Sequence, residues 1–352
     1  MNLVQDHNQD LIQYFKRDLE NLSIRLNQIQ HEASLNSYTT PETNQFVDEL
    51  TDKLASTKPA SNENKAKVNF LGVGFQKAGT TWLYSALQSH QRISLHPIKE
   101  LHFFDSKFHC GGYSVERRRK KALMGLHNQL ENYFNKTDLR KIDLHQINKI
   151  ESLLKLCVRP YSIDTYLSLF SGIENDIVGE ITPSYSTLNE KAIQYIRNSL
   201  GNIKIIMMIR NPVSRAWSSF RFHHQFTKKN LNEMNDQQIY HLITKDKQWL
   251  KNCDDRCNYD RAISLYSKYF NDIKYIIYDD IVREPIRVIH ETCQYFNIDY
   301  NSGNFKEIAV KKMNEGKIKI EIGDQAKKFL LERYENQINF LKNLFDRDDI
   351  IL

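Results

Sequence analysis

The hydrophobic pattern of the chain changes texture near residue 67. Upstream, Phe15, Leu19, Leu22, Leu26 and Ile29 recur at alternating spacings of four and three, which sets them on one helical face. The stripe falls short of the roughly three or four heptads that mark a coiled coil, so a helix docking on the main body is favoured over a homodimerisation arm. "SYTTPETNQ" and "STKPASNENKAK" follow, rich in Ser, Thr, Pro and Asn as linkers are. Downstream, short apolar runs alternate with helical stretches: "VNFLGV", "NDIVGEI", "IKIIMMI" and "IKYIIY". Their apolarity is continuous, as in strands buried on both faces of a parallel sheet covered by helices. The pattern predicts an α/β protein with a helical extension and linker over 1–66 and a main domain over 67–352. A charged, helical stretch at about 110–160, containing "ERRRKK" and "LRKIDLHQINKIESLLKL", reads as an insertion in the α/β core.

Composition narrows the class. Hydrophobic residues make up 40% and charged residues 26% of the chain, values of a folded globular protein. A net charge of +6 over 352 residues suits a small anionic ligand and is too weak to argue for nucleic acid. No run approaches the ~18 apolar residues of a membrane span. The N-terminal "MNLVQDHNQDLIQYFKRDLE" has no basic start followed by an apolar core, so the cytoplasm is the expected address. Five cysteines form no disulfide framework, and Cys253 and Cys257 lack the second pair that would complete a metal site. Arg117, Arg118, Arg119, Lys120 and Lys121 read as a solvated helix face, with a grip on an acidic acceptor as the sharper alternative.

Candidate chemistry begins at "VNFLGVGFQKAGTTWLYSAL", Val68 to Leu87, where an apolar strand leads into a glycine loop and a helix. Gly74 and Gly79 have the separation of the phosphate-binding pattern G-x-x-x-x-G-K-[ST], yet Thr80 and Thr81 follow directly and the only lysine, Lys77, lies inside the loop. The glycines let the backbone approach a ligand, and the helix start offers unpaired N–H groups to an anion. From within the loop, Lys77 can reach the oxygen bridging a phosphate and a group in transfer. There it would neutralise charge building on a leaving group.

"GFQKAGTTWLYSAL" resembles the 5′-phosphosulfate loop of the sulfotransferases that use 3′-phosphoadenosine 5′-phosphosulfate (PAPS), in their bacterial and glycosaminoglycan-modifying branches. The resemblance implies a P-loop-like parallel sheet flanked by helices. It also implies that Gln76, Lys77, Ala78, Gly79, Thr80 and Thr81 hold the 5′ end of PAPS without a metal, with Lys77 on the bridging oxygen. Trp82 resembles the tryptophan that packs on adenine in cytosolic members; a core tryptophan is the competing reading.

A second strand–turn–helix, "IKIIMMIRNPVSRAWSSF", delivers Arg210 at a strand's carboxyl end, where open α/β sheets bind ligands. Asn211 is a natural N-cap and Pro212 a natural first helical residue. Arg210 can fork onto a phosphate, and Ser218 can supply one more donor. The segment resembles the family's 3′-phosphate motif at Arg210, Pro212, Arg215 and Ser218, with Arg215 assigned to structure.

Sulfuryl transfer also needs a base within hydrogen-bond reach of the acceptor. In "HPIKELHFFD", Glu100 and His102 are two apart and would point to one side of an extended segment. The stretch resembles the Glu-x-His-Phe-Phe-Asp segment of heparan sulfate 3-O-sulfotransferases. That implies Glu100 as the base and His102 as its neighbour in the acceptor pocket, with His96 a second-rank candidate. "GEITPSYS" resembles the family's Glu-Lys-[Ser/Thr]-Pro-x-Tyr segment with Ile181 at the lysine position, which counts against a heparan-like acceptor and leaves Glu180 and Tyr185 as pocket candidates. "KKMNEGK", Lys311 to Lys317, falls where the family has a loop over the nucleotide.

The expected activity is in-line transfer of the sulfuryl group of PAPS to a hydroxyl or amine of a small-molecule or carbohydrate acceptor. A kinase or ATPase would instead use Asp279 or Asp280 of "YIIYDD" to hold Mg²⁺, against which stands the missing lysine after Gly79. A catalytically inactive nucleotide-binding scaffold is the third reading.

Overall fold

The computed structural model describes residues 67–134, 144–171, 173, 175–225, 227, 231–300, 305, 318, 320–347 and 349. The N-terminal stripe with its homodimerisation alternative, the linkers and Lys311–Lys317 lie outside the described residues. Chain contacts divide the described part into two units, one of residues 67–115 with 166–349 and one of residues 116–165.

The larger unit is built on a parallel sheet of β1 (Phe70–Gly74), β2 (Ile93–Leu95), β3 (Ile177–Ile181), β4 (Lys204–Ile209) and β5 (Ile273–Ile277). Their order is β2-β3-β1-β4-β5. Every residue of β1 and β3 is buried, as is β4 beyond Lys204, which explains the unbroken apolar runs in the sequence. The edge strand β5 is half-buried as far as Tyr275. Sequence patterning missed β2, since three residues are too short to display a period. Phe70 pairs with Gly179 in register, and a Cβ on Gly179 would stand 2.4 Å from the Phe70 ring. Only glycine fits under that ring.

The chain runs from β1 outward to one edge, returns, and crosses to β4 on the other side. The strand order therefore reverses between β1 and β4, and the crevice beyond their carboxyl ends is where open sheets bind ligands.

Helices α1 (Thr80–Gln88), α2 (Phe103–Lys107), α3 (Val115–Phe134), α4 (Leu144–Val158), α5 (Ile163–Ser168), α6 (Glu190–Leu200) and α7 (Pro212–His224) follow in order. Beyond them come α8 (Asp236–Lys245), α9 (Lys247–Cys257), α10 (Tyr259–Tyr269), α11 (Tyr278–Arg283), α12 (Pro285–Tyr295) and α13 (Asp324–Phe345). The start of α7 forms as its sequence predicts: Asn211 accepts the amides of Val213 and Ser214 at 2.8 and 3.0 Å, and Pro212 opens the first turn. No helix among the described residues is long and apolar enough to cross a membrane.

In the smaller unit, α3 and α4 pack as a pair, with Gly125 against Leu153 and with Ala122, Leu126, Ile150 and Leu154 buried. Arg119 donates to the carbonyl of Arg159 at 3.2 Å. The basic cluster is not one solvated face. Arg117, Lys120 and Lys121 are exposed, while Arg118 is buried at 3% exposure.

Candidate active site

The loop after β1 is anchored to the neighbouring strand, since the Phe75 amide donates to the Met208 carbonyl at 2.7 Å. Gly79 turns the chain into α1 with φ 91°, and a Cβ there would meet the Tyr278 ring at 3.1 Å. Lys77 adopts φ 67°, a left-handed conformation uncommon for a residue with a side chain. Around it Ala78 and Thr80 are buried, and Gln76 and Thr81 are half-buried. Trp82 packs inward, and its buried indole N–H has no partner among the described residues.

Arg210 emerges from the end of β4 beside this loop. Its Nη1 donates to the Lys77 carbonyl at 2.9 Å, and its guanidinium lies 4.1 Å over the Tyr278 ring. Its own carbonyl accepts the Tyr259 hydroxyl at 2.7 Å. The Lys77 ammonium sits 4.1 Å from the ring centre of Phe222. Burial first, then Arg210 and Arg221, lower the Lys77 ammonium to about 8, against the opposing pull of Glu100.

Arg221 is a residue that sequence reading missed, as it missed Asp105 beside His102. Arg221 stands one helical turn beyond Ser218 on α7, a spacing that places both on one side of the helix. Its Nη1 reaches the Ile318 carbonyl at 3.4 Å. The Nε groups of both Arg210 and Arg221 are buried without a hydrogen-bond partner among the described residues. Ser218 is half-buried. Arg215, three residues before Ser218, instead turns into the core: its Nε donates to Cys257 Sγ at 2.9 Å and its Nη2 to the Cys253 carbonyl at 3.4 Å. Burial pushes the Cys257 thiol up to about 11, so it meets the guanidinium as a neutral thiol at neutral pH.

Glu100 and His102 come together, though not on an extended segment. Both take positive φ, 62° and 51°, and His102 precedes α2 directly. Glu100 accepts from Lys99 Nζ at 2.7 Å and lies 3.4 Å from His102 Nε2; His102 Nδ1 faces Asp105 Oδ2 at 2.7 Å. The imidazole stacks on Tyr113 at 4.0 Å between ring centres. Burial works against the charge on Glu100, yet the bond to His102 and the Lys99 ammonium prevail and hold its carboxyl at about 2. For His102, burial is likewise outweighed, by the bonds to Asp105 and Glu100, and its pKa is raised.

Three sequence readings change. His96 is fully buried, edge-on to Phe170, with Nδ1 accepting the Ile98 amide at 3.0 Å, so it packs and caps a turn instead of facing an acceptor. Glu180 and Tyr185 are buried, at 1% and 0% exposure, and so is His102, at 1%, so none of the three lines an open pocket. Asp280, one of the two carboxylates of the magnesium-binding reading, is instead held bidentately by Arg347 at 2.8 and 2.9 Å.

Lys77, Arg210 and Arg221 thus form a cationic group at the sheet's switch point, with the Lys77 and Ile318 carbonyls and the Phe222 and Tyr278 rings among their near neighbours. Buried N–H groups lacking partners among the described residues are what a multiply charged anion completes.

A curated relative, the membrane-associated sulfotransferase kil1 of Dictyostelium discoideum, is 25% identical over 186 residues, which is 53% of this chain and 29% of that protein. The chain therefore matches less than a third of that relative's length. In fold it is similar to a sulfotransferase of Alicyclobacillus acidocaldarius, with TM-score 0.52 and 20% identity, covering 80% of this chain and 97% of the other. The model of the sulfotransferase family matches residues 70–302, two thirds of the sequence, and the chain belongs to that family.

Proposed function

We propose that the chain moves the sulfuryl group of PAPS to a hydroxyl or amine of a small-molecule or carbohydrate acceptor, within a catalytic domain spanning 67–352. The observation that carries the reading is the meeting of Lys77 and Arg210 from two different strand ends. When bound, PAPS supplies an activated sulfuryl group on a phosphate leaving group. In this reading the loop 76–81 binds its 5′ end, and Arg210, Ser218 and Arg221 bind phosphate at the other. Lys77 leaves the Phe222 ring to neutralise charge on the departing oxygen, a task of fixed electrostatics rather than covalent chemistry.

Glu100 takes the acceptor's proton in this scheme. A carboxylate held near 2 is a weak base. An acceptor group that displaces the Lys99 ammonium from Oε1 removes one of the contacts keeping it there, and raises its basicity where the proton must go. His102, gripped by Asp105, fixes the other oxygen.

Thermal unfolding with adenosine 3′,5′-bisphosphate and with ATP plus Mg²⁺ tests the nucleotide. Stabilisation by the bisphosphate alone is expected; preference for ATP with Mg²⁺ would support a kinase or ATPase instead. A screen of alcohols and amines with PAPS then tests the transfer.

A further inference from the structure

Glu180, next to last in β3, has no cation bonded to its carboxyl among the described residues. Its bonded partners are three hydroxyls: Tyr166 and Tyr185 donate to Oε1 at 2.9 and 3.0 Å, and Thr182 to Oε2 at 2.7 Å. The Tyr185 oxygen in turn accepts the main-chain amide of Phe103 at 3.1 Å and, more weakly, that of Phe104 at 3.5 Å. Those two residues open α2, between His102 and Asp105. A buried hydrogen-bonded path therefore runs from Glu180 through one phenol to the main chain of the turn that carries Glu100, His102 and Asp105. Nothing in the sulfuryl-transfer scheme uses Glu180 directly.

We propose that Glu180 is the positioning residue of the base: through Tyr185 it holds the amides of Phe103 and Phe104, and with them the turn on which Glu100 and His102 face each other. The inference rests on Glu100 being the base. Ionised Glu180 accepts three O–H donors, which orients the Tyr185 hydroxyl toward it and leaves the Tyr185 oxygen free to accept the two amides. Protonated Glu180 gains a donor whose near oxygen partners are those same hydroxyls, so the arrangement at Tyr185 must change. Burial raises the Glu180 carboxyl to about 7 despite the three hydroxyl bonds, with Asp105 adding to the rise. The groups facing it from packed elements are Asp105 on α2, Tyr166 on α5, Tyr185, and Tyr266 on α10, whose hydroxyl donates to the Tyr185 carbonyl at 3.0 Å. Those tyrosines are held well above their ordinary range, so of this group the Glu180 carboxyl titrates at neutral pH; His102, whose pKa is raised, is the other titrating group on the same turn.

The test is the amide resonances of Phe103 and Phe104 in ¹⁵N-phenylalanine-labelled full-length protein, titrated through neutral pH without substrate. Both should show a movement with its midpoint near 7 that persists in His102→Gln, and Glu180→Gln should abolish that movement. The same variant should lower kcat with PAPS by about ten- to a hundred-fold while KM for PAPS stays put, because a misplaced base loses rate and not nucleotide affinity. Its rate profile should also lose the rise through pH 7. If Glu180→Gln fails to fold, Tyr185→Phe should give the same loss of amide movement, and Tyr166→Phe should keep it. Amides that titrate unchanged in Glu180→Gln or Tyr185→Phe would overturn the proposal. The base reading is tested separately by turnover of Glu100→Gln, so the two failures are told apart.

Discussion

Arg210 donates to the main-chain carbonyl of Lys77 at 2.9 Å, so the cation that ends β4 also holds the loop that follows β1. This bond places Lys77, in its left-handed conformation, at the point where the strand order reverses. A ligand that needs both residues meets the loop and the arginine already joined.

Loss of Arg210 should therefore act on nucleotide binding first. Arg210→Ala removes a charge-assisted donor and leaves ligand charge unpaired, and should weaken adenosine 3′,5′-bisphosphate by ~2–4 kcal/mol. Arg221→Ala should weaken it in the same direction. Calorimetric titration of each variant measures both.

Lys77 makes binding depend on pH. In the free protein its ammonium is held at about 8 by burial and by the neighbouring arginines. A bound anion raises that value, so binding takes up a proton between about 8 and the bound pKa. Affinity should be level below the free-state value and fall as pH rises through it. Heats measured in two buffers of different ionisation enthalpy report the uptake, which Lys77→Arg should abolish.

Glu100→Gln should leave bisphosphate affinity nearly intact while turnover drops about 10²–10⁴-fold. Lys99→Met should raise the Glu100 carboxyl from about 2, because it removes one of the contacts that lower it. In a Glu180→Gln background, which lacks the rise through pH 7, the acid limb of the rate profile should then move to higher pH, as a pH–rate series would record.

Stability should carry the mark of Glu180. Its folded carboxyl lies at about 7, above its ordinary 4.5, so the folded state binds more protons between these values. Stability from this group is present below 4.5 and is lost as pH rises through about 7, on the order of 3 kcal/mol in total. Urea unfolding of the wild type against Glu180→Gln across that window should show the slope disappear in the variant.

Much of the site was readable because its parts are local. The glycine loop, Lys77 and the Asn211–Pro212 helix start are each set by a few adjacent residues, and they form where the sequence places them. The Glu100–His102 contact was expected from extended geometry and instead arises from two positive φ angles, a conformation that nothing in "KELHF" announces. Arg221 and Asp105 went unassigned because their meaning depends on what lies across from them. The resemblance of "GEITPSYS" offers Glu180 and Tyr185 as pocket candidates, whereas their burial by α2 and α5 is a tertiary fact that a motif does not carry.

The most direct test measures affinity for adenosine 3′,5′-bisphosphate beside adenosine 5′-phosphate, in the wild type and in Arg210→Ala. At least about a ten-fold preference for the bisphosphate is expected in the wild type, since a second phosphate gains charge-assisted bonds, and this preference should disappear in the variant. Equal affinity of the wild type for the two ligands would contradict the claim that two strand ends grip opposite ends of one nucleotide.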